Sequence, residues 1–192
     1  YKEARRQHTP MVSRTAWTLT FGVLLLPLAA GAGVAIFDGG DGEGMGRADR
    51  INESAVEQAM HAELNDLRTE QGLQPLPHDG QISAQATAWS ARMANGSYEH
   101  SGRGYYACPA GAAENIATLP AYGRVELDTG EIVRYGGNES ELGRALVGVW
   151  NRSPPHRDNM LDPAHTAHAP GIAVGERNGT ITLYATSGFC SQ

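Results

Sequence analysis

The chain has 192 residues, a length that suits one globular domain with an appended segment. Acidic residues outnumber basic residues, 21 to 15, and the sequence pI is about 5.6. This balance argues against nucleic acid as a partner, because nucleic-acid-binding domains carry clustered basic charge.

The N-terminal part combines a basic tail with an uncharged stretch. Residues 1–14 are mainly basic in their charges, whereas residues 15–37 contain no charged side chain. A helix of that length, rising about 1.5 Å per residue, can cross a hydrocarbon core of roughly 30 Å. Because basic flanks stay in the cytoplasm, we expect a single-pass membrane anchor with the rest of the chain outside the cell.

A cleavable signal peptide is the alternative for residues 15–37. Residues 19–28 would be its apolar region, and Ala30-Gly31-Ala32 would be its small-residue cleavage site. The domain would then be secreted, but we favour the retained anchor. Residues 38–49 are rich in glycine and acidic residues and are expected to be a flexible linker. The folded domain is therefore predicted to cover residues 50–192.

Apolar residues at helical spacing predict two helices at the start of this domain. The first covers residues 52–71 with Asn52 as its N-cap, and the second covers residues 79–94 with Asp79 as its N-cap. Each presents one apolar face, so both should pack against the core.

A third helix is predicted over residues 141–150. It should end at Trp150, because Pro154 and Pro155 lack the N–H that a helix interior needs and restrict the residues before them. We expect the chain to turn there and to present His156 just after a rigid corner.

Alternating apolar and polar residues predict two hairpins. Residues 124–127 and 132–135 flank a turn at Asp128-Thr129-Gly130, and residues 171–176 and 180–187 flank a turn at Asn178-Gly179. Helices followed by paired strands indicate an α+β domain.

The chain has two cysteines, Cys108 and Cys190. In an exported domain, two cysteines usually form one disulfide. Such a bond would tie the C-terminal strand to the segment before Glu114 and could stabilise the fold by roughly 4 kcal/mol. Two unpaired thiols are the alternative.

Three short motifs follow one another along the domain. They are Tyr98-Glu99-His100-Ser101, Ala113-Glu114-Asn115-Ile116-Ala117 and Trp150-x-x-Ser153-x-x-His156-Arg157-x-Asn159. Together they resemble the signatures of the CAP superfamily, also called SCP domains, in its prokaryotic form. The resemblance covers roughly residues 52–190. It implies a three-layer α-β-α sandwich with a central antiparallel sheet.

The resemblance also implies a site. In the family, two histidines and two glutamates line a central cavity, and His100, Glu114 and His156 match three of those four positions. Ser153 stands near the position of the second glutamate. This replacement puts in doubt any reaction that needs all four of these residues. Two imidazoles and a carboxylate suffice to bind Zn²⁺ with one position left for water, so we predict zinc as a cofactor. An empty polar cleft is the alternative.

Three further histidines of the domain are not favoured as ligands. His61 is expected at the surface or between helices rather than as a ligand. His165 and His168 lie near the third motif in sequence and could compete as ligands, but we expect them in a solvated loop.

Two functions follow from the resemblance. Family members are associated with sterol or lipid binding and with extracellular contacts, which implies a binding module for a small apolar ligand or a cell-surface component. The alternative is a metal-assisted, peptidase-like hydrolase with Glu114 as general base. The sequence contains no nucleophile elbow, His-Glu-x-x-His or phosphate loop. We favour binding, and whether the domain is an enzyme stays open.

Five asparagines begin an Asn-x-Ser/Thr triplet: Asn52, Asn95, Asn138, Asn151 and Asn178. We predict glycosylation first at Asn138, then at Asn178 or Asn52, and none at Asn151, which lies beside Trp150. The competing explanation is that asparagine, serine and threonine gather at helix caps and turns.

Overall fold

The structure is a computed structural model that describes residues 51–127, 129–136 and 138–191. The predicted basic tail, anchor or signal segment and linker, over residues 1–14, 15–37 and 38–49, lie outside these residues. Among the described residues, no helix combines the length and the apolar character needed to cross a membrane.

The described residues form an α+β domain, as the sequence predicts. In chain order its elements are α1 Glu53–Glu70, α2 Gly80–Ala94, β1 Gly111–Pro120, β2 Tyr122–Glu126, β3 Ile132–Gly136, α3 Glu139–Asn151, α4 Pro154–Leu161, β4 His165–Arg177 and β5 Thr180–Ser191.

Strand β5 is the middle strand of a three-stranded antiparallel sheet, with β1 on one side and β4 on the other. Glu114 of β1 lies opposite Gly188 of β5, and His168 of β4 lies opposite Phe189. Strands β2 and β3 form a separate antiparallel hairpin. Strand β1 is one of the two edge strands of this sheet, and its side chains alternate between the two faces.

Helices cover both faces of this sheet. Leu183, Ala185 and Phe189 of β5 join the core cluster that contains buried residues of α1, α3 and α4. On the opposite face, Tyr184 and Cys190 join clusters that contain the buried residues of α2. Alternate residues of one strand point to opposite faces, so this division produces the α-β-α layering that the resemblance implies.

Helix α2 lies very close to the sheet. A Cβ atom added at Gly171 of β4 would collide with the backbone of Ala86 and Thr87. The hydroxyl Oγ of Ser90 lies 2.8 Å from the carbonyl oxygen of Gly171 and 2.8 Å from Oγ1 of Thr186. The missing side chain of Gly171 therefore allows a buried hydroxyl of the helix to reach the strands directly.

Both N-caps predicted at the start of the domain are confirmed. Asn52 Oδ1 accepts from the backbone N–H of Ala55 at 3.1 Å. Asp79 Oδ1 accepts from the backbone N–H groups of Gln81 and Ile82 at 2.8 and 3.0 Å. These bonds satisfy donors that have no partner within the helix.

The chain turns at Arg152 and Ser153 before His156, as predicted, but the prediction that the double proline forms this corner is wrong. Pro154 and Pro155 occupy the first positions of α4, and Ser153 is its N-cap residue. A proline is tolerated in the first turn of a helix, because the N–H that it lacks would have no intrahelical partner there. The double proline thus begins a helix, and His156 lies in its first turn.

Both predicted hairpins are confirmed, but the second is longer than expected. Strand β4 begins at His165, so the expectation of a solvated loop for His165 and His168 is wrong. Their exposed fractions are 7% and 1%. A register shift between His165 and Ala167 interrupts the regular alternation of the strand, which hides the pattern from sequence inspection. Strand β1 was not predicted.

The predicted disulfide is confirmed. Cys108 and Cys190 are bonded, with their Cα atoms 5.3 Å apart, and the bond joins the segment before β1 to the end of β5. Ala112 lies opposite Cys190 in the sheet. The disulfide therefore reinforces the pairing of β1 with β5 at the end of the sheet near Glu114.

A buried arginine holds α1 to the end of α4. Arg68 is 2% exposed. Its Nε donates to the carbonyl oxygen of Gln74 at 3.0 Å, and its Nη1 lies 2.7 and 3.1 Å from the carbonyl oxygens of Met160 and Asp162. These oxygens supply the hydrogen bonds that the guanidinium loses by leaving water.

We predict that Arg68→Ala destabilises the domain by roughly 3 kcal/mol, because it leaves buried carbonyl groups without donors. Urea denaturation should show the loss. Arg177→Ala is the control, since Arg177 is exposed at the end of β4, and it should change stability by less than about 0.5 kcal/mol. Equal stability of both variants would show that Arg68 has no special structural role.

Candidate functional site

A cavity of about 520 Å³ lies where the loop between α2 and β1 folds over the start of β1. Residues 100–106 and 111–114 form most of its wall. Gly102 and Gly104 have φ angles of +88° and +79°, which residues with a Cβ rarely adopt. The two glycines allow the loop to turn tightly, and it places His100 beside Glu114.

The Glu114 carboxylate is bound by three donors. His100 Nδ1 lies 2.9 Å from Oε1, and the backbone N–H of Ser101 donates to the same oxygen at 3.0 Å. The hydroxyl of Tyr106 donates to Oε2 at 3.1 Å. Both oxygens are therefore occupied by groups of the protein itself.

These bonds keep Glu114 ionised. Burial acts to raise its pKa, but the hydrogen bonds from His100, Ser101 and Tyr106 outweigh burial and lower the pKa below its usual value. Burial and the Glu114 charge together raise the pKa of Tyr106, so its hydroxyl remains a donor. The cavity wall therefore carries a fixed negative charge.

His156 approaches this pair from α4. Its Nδ1 atom is buried and has no hydrogen-bond partner among the described residues. Burial lowers the pKa of His156, and the nearby charge of His100 lowers it further. These two effects favour the neutral imidazole, and its buried Nδ1 is an unsatisfied ring nitrogen.

Two asparagines fix the position of His156. Asn115 is fully buried, and its Nδ2 donates to the carbonyl oxygen of His156 at 2.9 Å. Asn159 Nδ2 in turn donates to Asn115 Oδ1 at 2.9 Å. Glu114 and Asn115 are neighbours on a strand, so their side chains point to opposite faces. Strand β1 therefore lies between the loop that carries His100, on one face, and α4, on the other.

Of the three predicted site residues, His100 and Glu114 are in direct contact, whereas His156 is not part of the cavity wall and interacts with His100 only electrostatically. The fourth position, Ser153, is the N-cap residue of α4 and makes no capping hydrogen bond through its side chain. His100 uses Nδ1 for Glu114, which leaves Nε2 as the nitrogen available for a ligand. Among the described residues, no group of three or more His, Cys, Asp or Glu side chains is placed to hold one metal ion. The zinc site stays a prediction, and the available nitrogens are those of the two histidines.

Sequence inspection gave no role to four residues that complete the site. Asn115 and Asn159 stand inside the quoted motifs, so their position in the sequence already indicated them. Ser101 acts through its backbone N–H, and Tyr106 lies outside every motif. No sequence pattern indicates that the Ser101 N–H and the Tyr106 hydroxyl bind Glu114. The path of the glycine-rich loop decides which atoms reach the carboxylate.

The three predicted glycosylation sites are exposed. Asn52 and Asn138 are N-cap residues whose Oδ1 atoms accept backbone N–H bonds. Asn178 has a φ angle of 53° in the turn between β4 and β5. The competing explanation from caps and turns therefore accounts for these positions, and glycosylation stays a prediction.

Residues 61–189 match the sequence profile of the cysteine-rich secretory protein family, CAP. None of the curated proteins is similar enough in sequence to match the chain.

Solved structures of similar shape come from three bacteria. An extracellular SCP-domain protein from Bacillus anthracis str. Ames is 20% identical over 73% of this chain, with a TM-score of 0.47. An outer surface protein from Borrelia burgdorferi is 13% identical over 74% of this chain and 97% of its own, with a TM-score of 0.48. A cysteine-rich secretory protein from Staphylococcus aureus subsp. aureus Mu50 is 14% identical over 73% of this chain, with a TM-score of 0.43. The chain spans only 41% and 40% of the length of the Bacillus and Staphylococcus proteins.

We predict that Tyr106→Phe raises the pKa of Glu114, because it removes one donor while burial remains. A carboxylate with a lowered pKa stabilises the fold above its unfolded pKa, and this contribution disappears as the pH falls through the folded pKa. In the variant this contribution should therefore be smaller, and its loss should be complete at a higher pH. Carbon-13 NMR titration of the Glu114 carboxyl group measures the shift directly.

Tyr105→Phe is the matched control for this prediction. Tyr105 also lines the cavity, but its hydroxyl donates to the carbonyl oxygen of Gln85 rather than to Glu114. Its removal should leave the pKa of Glu114 nearly unchanged. If both variants shift that pKa equally, the Tyr106 hydrogen bond is not what holds Glu114 ionised.

Proposed function

The chain belongs to the cysteine-rich secretory protein (CAP) family, and on this premise we propose that its folded domain is an extracellular binding module. The cavity beside His100 and Glu114 would capture a small apolar ligand or a cell-surface component. The Cys108–Cys190 disulfide supports export, because such bonds persist mainly in oxidising compartments. Residues 15–37 are proposed to anchor the module in the cell membrane.

The observation that carries this proposal is the set of three hydrogen-bond donors around Glu114. A general base works best when its pKa lies near the working pH. Both oxygens of Glu114 already accept hydrogen bonds, and the pKa is lowered. These properties suit a fixed charge in a binding wall better than a group that takes and returns protons.

The composition of the cavity wall supports the same proposal. Tyr105, Ala112 and Ala113 supply apolar surface, while Arg103 and Glu114 add opposite charges. Pockets for small molecules usually combine apolar walls with a few polar groups that orient the ligand. An occupant with an apolar body and one polar group would satisfy both parts of the wall.

We predict that Ala112→Trp abolishes ligand capture, because Ala112 is exposed in the cavity wall and an indole there would fill the space. Isothermal titration calorimetry with a long-chain fatty acid tests the apolar ligand, and sedimentation with isolated cell-wall fragments tests the surface component. We expect at least one of these probes to bind the parent protein and not the variant.

Ala107→Trp is the control for the blocking substitution. Ala107 is also exposed and lies in the same loop, but it is not part of the cavity wall. It should keep the parent's affinity. Binding that survives Ala112→Trp would place the ligand elsewhere, and binding of neither probe by the parent would contradict both ligand classes.

The alternative function, metal-assisted hydrolysis, has one observation in its favour. The buried Nδ1 of His156 has no partner among the described residues, and His100 lies close enough to affect its pKa. A neutral imidazole with a free nitrogen is a good ligand for Zn²⁺. Two histidines provide fewer protein ligands than the three usual at catalytic zinc sites, so we rank this function second.

We predict that His100→Ala and His156→Ala each weaken Zn²⁺ binding more than tenfold, because each removes one of few ligands. Calorimetric titration with zinc measures the affinity, with His78→Ala as the control, since His78 is exposed and outside this cavity. Peptide hydrolysis that requires zinc and is lost in His156→Ala would favour the hydrolase. If both site variants bind zinc as the parent does, the site is not the metal site.

A further inference from the structure

A chain of hydrogen-bonded side chains connects α1 to the middle of the sheet, away from the cavity described above. It consists of Asn65, His61, His168 and Ser187. Asn65 Nδ2 lies 3.2 Å from His61 Nε2, and His61 Nδ1 lies 3.0 Å from His168 Nδ1. His168 Nε2 lies 2.6 Å from Ser187 Oγ. The planes of the two imidazole rings are nearly parallel, at 4°, with centroids 5.1 Å apart.

The network fixes where each proton lies. The backbone N–H of Leu76 donates to Asn65 Oδ1 at 2.8 Å, so the amide nitrogen of Asn65 faces His61. An amide N–H₂ can only donate, and His61 Nε2 must therefore accept. The single ring proton of His61 is then on Nδ1, where it donates to His168 Nδ1. By the same reasoning, the proton of His168 is on Nε2 and is donated to Ser187.

A second proton on either ring would break this chain. A proton on His61 Nε2 would point at the amide donor of Asn65, and a proton on His168 Nδ1 would point at the N–H of His61. Neither ring can turn to solvent without losing the hydrogen bond that joins the two rings. His168 is 1% exposed and also stacks on Phe189, with ring centroids 4.9 Å apart.

The surrounding charges offer no compensation. His78 from the loop before α2, Arg68 from α1 and His165 from β4 are the charged groups that affect His168 besides His61, and each opposes a positive charge. The carboxylates of Glu57 on α1 and Asp79 before α2 are bonded to other groups.

Burial is the main cause that lowers the pKa of both rings. Electrostatic repulsion from His78 adds to burial for His61, and repulsion that a protonated His61 would exert is the next cause for His168. The folded protein therefore resists protonation at a pH at which the unfolded chain accepts protons freely.

We propose that His61 and His168 form an acid-sensitive latch, which holds α1 against strand β4 while both rings are neutral and releases it when the medium becomes acidic. His61 and His78 line a separate cavity of about 500 Å³ along α1, so release of α1 would open this cavity. Ser187 at the inner end of the latch lies opposite Asn115, the residue that positions His156.

The direction of the pH effect follows from the lowered pKa values. The contribution of the latch is complete above the unfolded histidine pKa, about 6.5, and declines as the pH falls below it. For each histidine that stays unprotonated in the fold, the unfolding constant rises about tenfold per pH unit, and two such histidines give up to about a hundredfold.

The tautomers provide the first test, on the parent protein itself. Long-range ¹H–¹⁵N NMR correlations of the whole chain at pH 7.5 should show His61 protonated only on Nδ1 and His168 only on Nε2. A proton on Nε2 of His61, or a charged ring at that pH, would overturn the latch. This test does not depend on whether any variant folds.

The second test is the pH dependence of urea denaturation between pH 6.5 and 5.5. Asn65→Asp replaces a donor with a carboxylate that accepts a hydrogen bond from a proton on His61 Nε2, so His61 can become protonated in the folded variant. For each pH unit of acidification, the unfolding constant should therefore rise about tenfold less in the variant than in the parent. His78→Gln removes only a neighbouring charge and should keep most of the parent slope.

Absolute stability is not the readout, because Asn65→Asp also loses the bond from Asn65 Nδ2 to the Leu76 carbonyl oxygen. His156 and His165 also have lowered pKa values and add to the slope in every variant, so the differences between variants are decisive. Hydrogen exchange should accelerate in α1 on acidification before it does so in α2. Equal slopes for the parent and Asn65→Asp, or exchange that is uniform across the domain, would refute the proposal.

Discussion

The position of strand β5 between β1 and β4 is the constraint on which the rest of the structure depends. Its backbone groups pair with both neighbours, so its side chains alone decide what packs on each face. Leu183, Ala185 and Phe189 face the layer that contains α1, while Tyr184 and Cys190 face α2. The candidate site and the His61–His168 pair are each positioned by packing on these faces.

The candidate site uses the edge strand β1, whose side chains alternate between the two faces of the sheet. Glu114 faces the loop that carries His100, whereas Asn115 faces α4 and binds the backbone of His156. Two consecutive residues therefore hold the two halves of the site. Such an arrangement needs no long side chains and no insertion into the core, because the strand itself provides the spacing between the loop and the helix.

The two groups of histidines differ in what surrounds them. His100 lies beside an ionised carboxylate and a cavity, and one ring nitrogen of His156 on α4 has no partner among the described residues. His61 and His168 lie between α1 and the sheet, and all of their ring nitrogens are hydrogen-bonded. Free nitrogens favour the capture of a ligand. Saturated nitrogens in a buried, uncharged chain give sensitivity to protons instead.

The sequence by itself determined the elements whose causes are local. Helix spacing and the side-chain caps of Asn52 and Asp79 located α1 and α2, the Asn178-Gly179 turn located the last hairpin, and three motifs located the site residues. The tertiary structure decided everything that depends on contact between distant segments. It placed the hydroxyl of Tyr106 on Glu114 and buried His168 against His61, a residue 107 positions away. Short-range pattern predicts which backbone a segment adopts, but the partner of a side chain is fixed only when the layers pack.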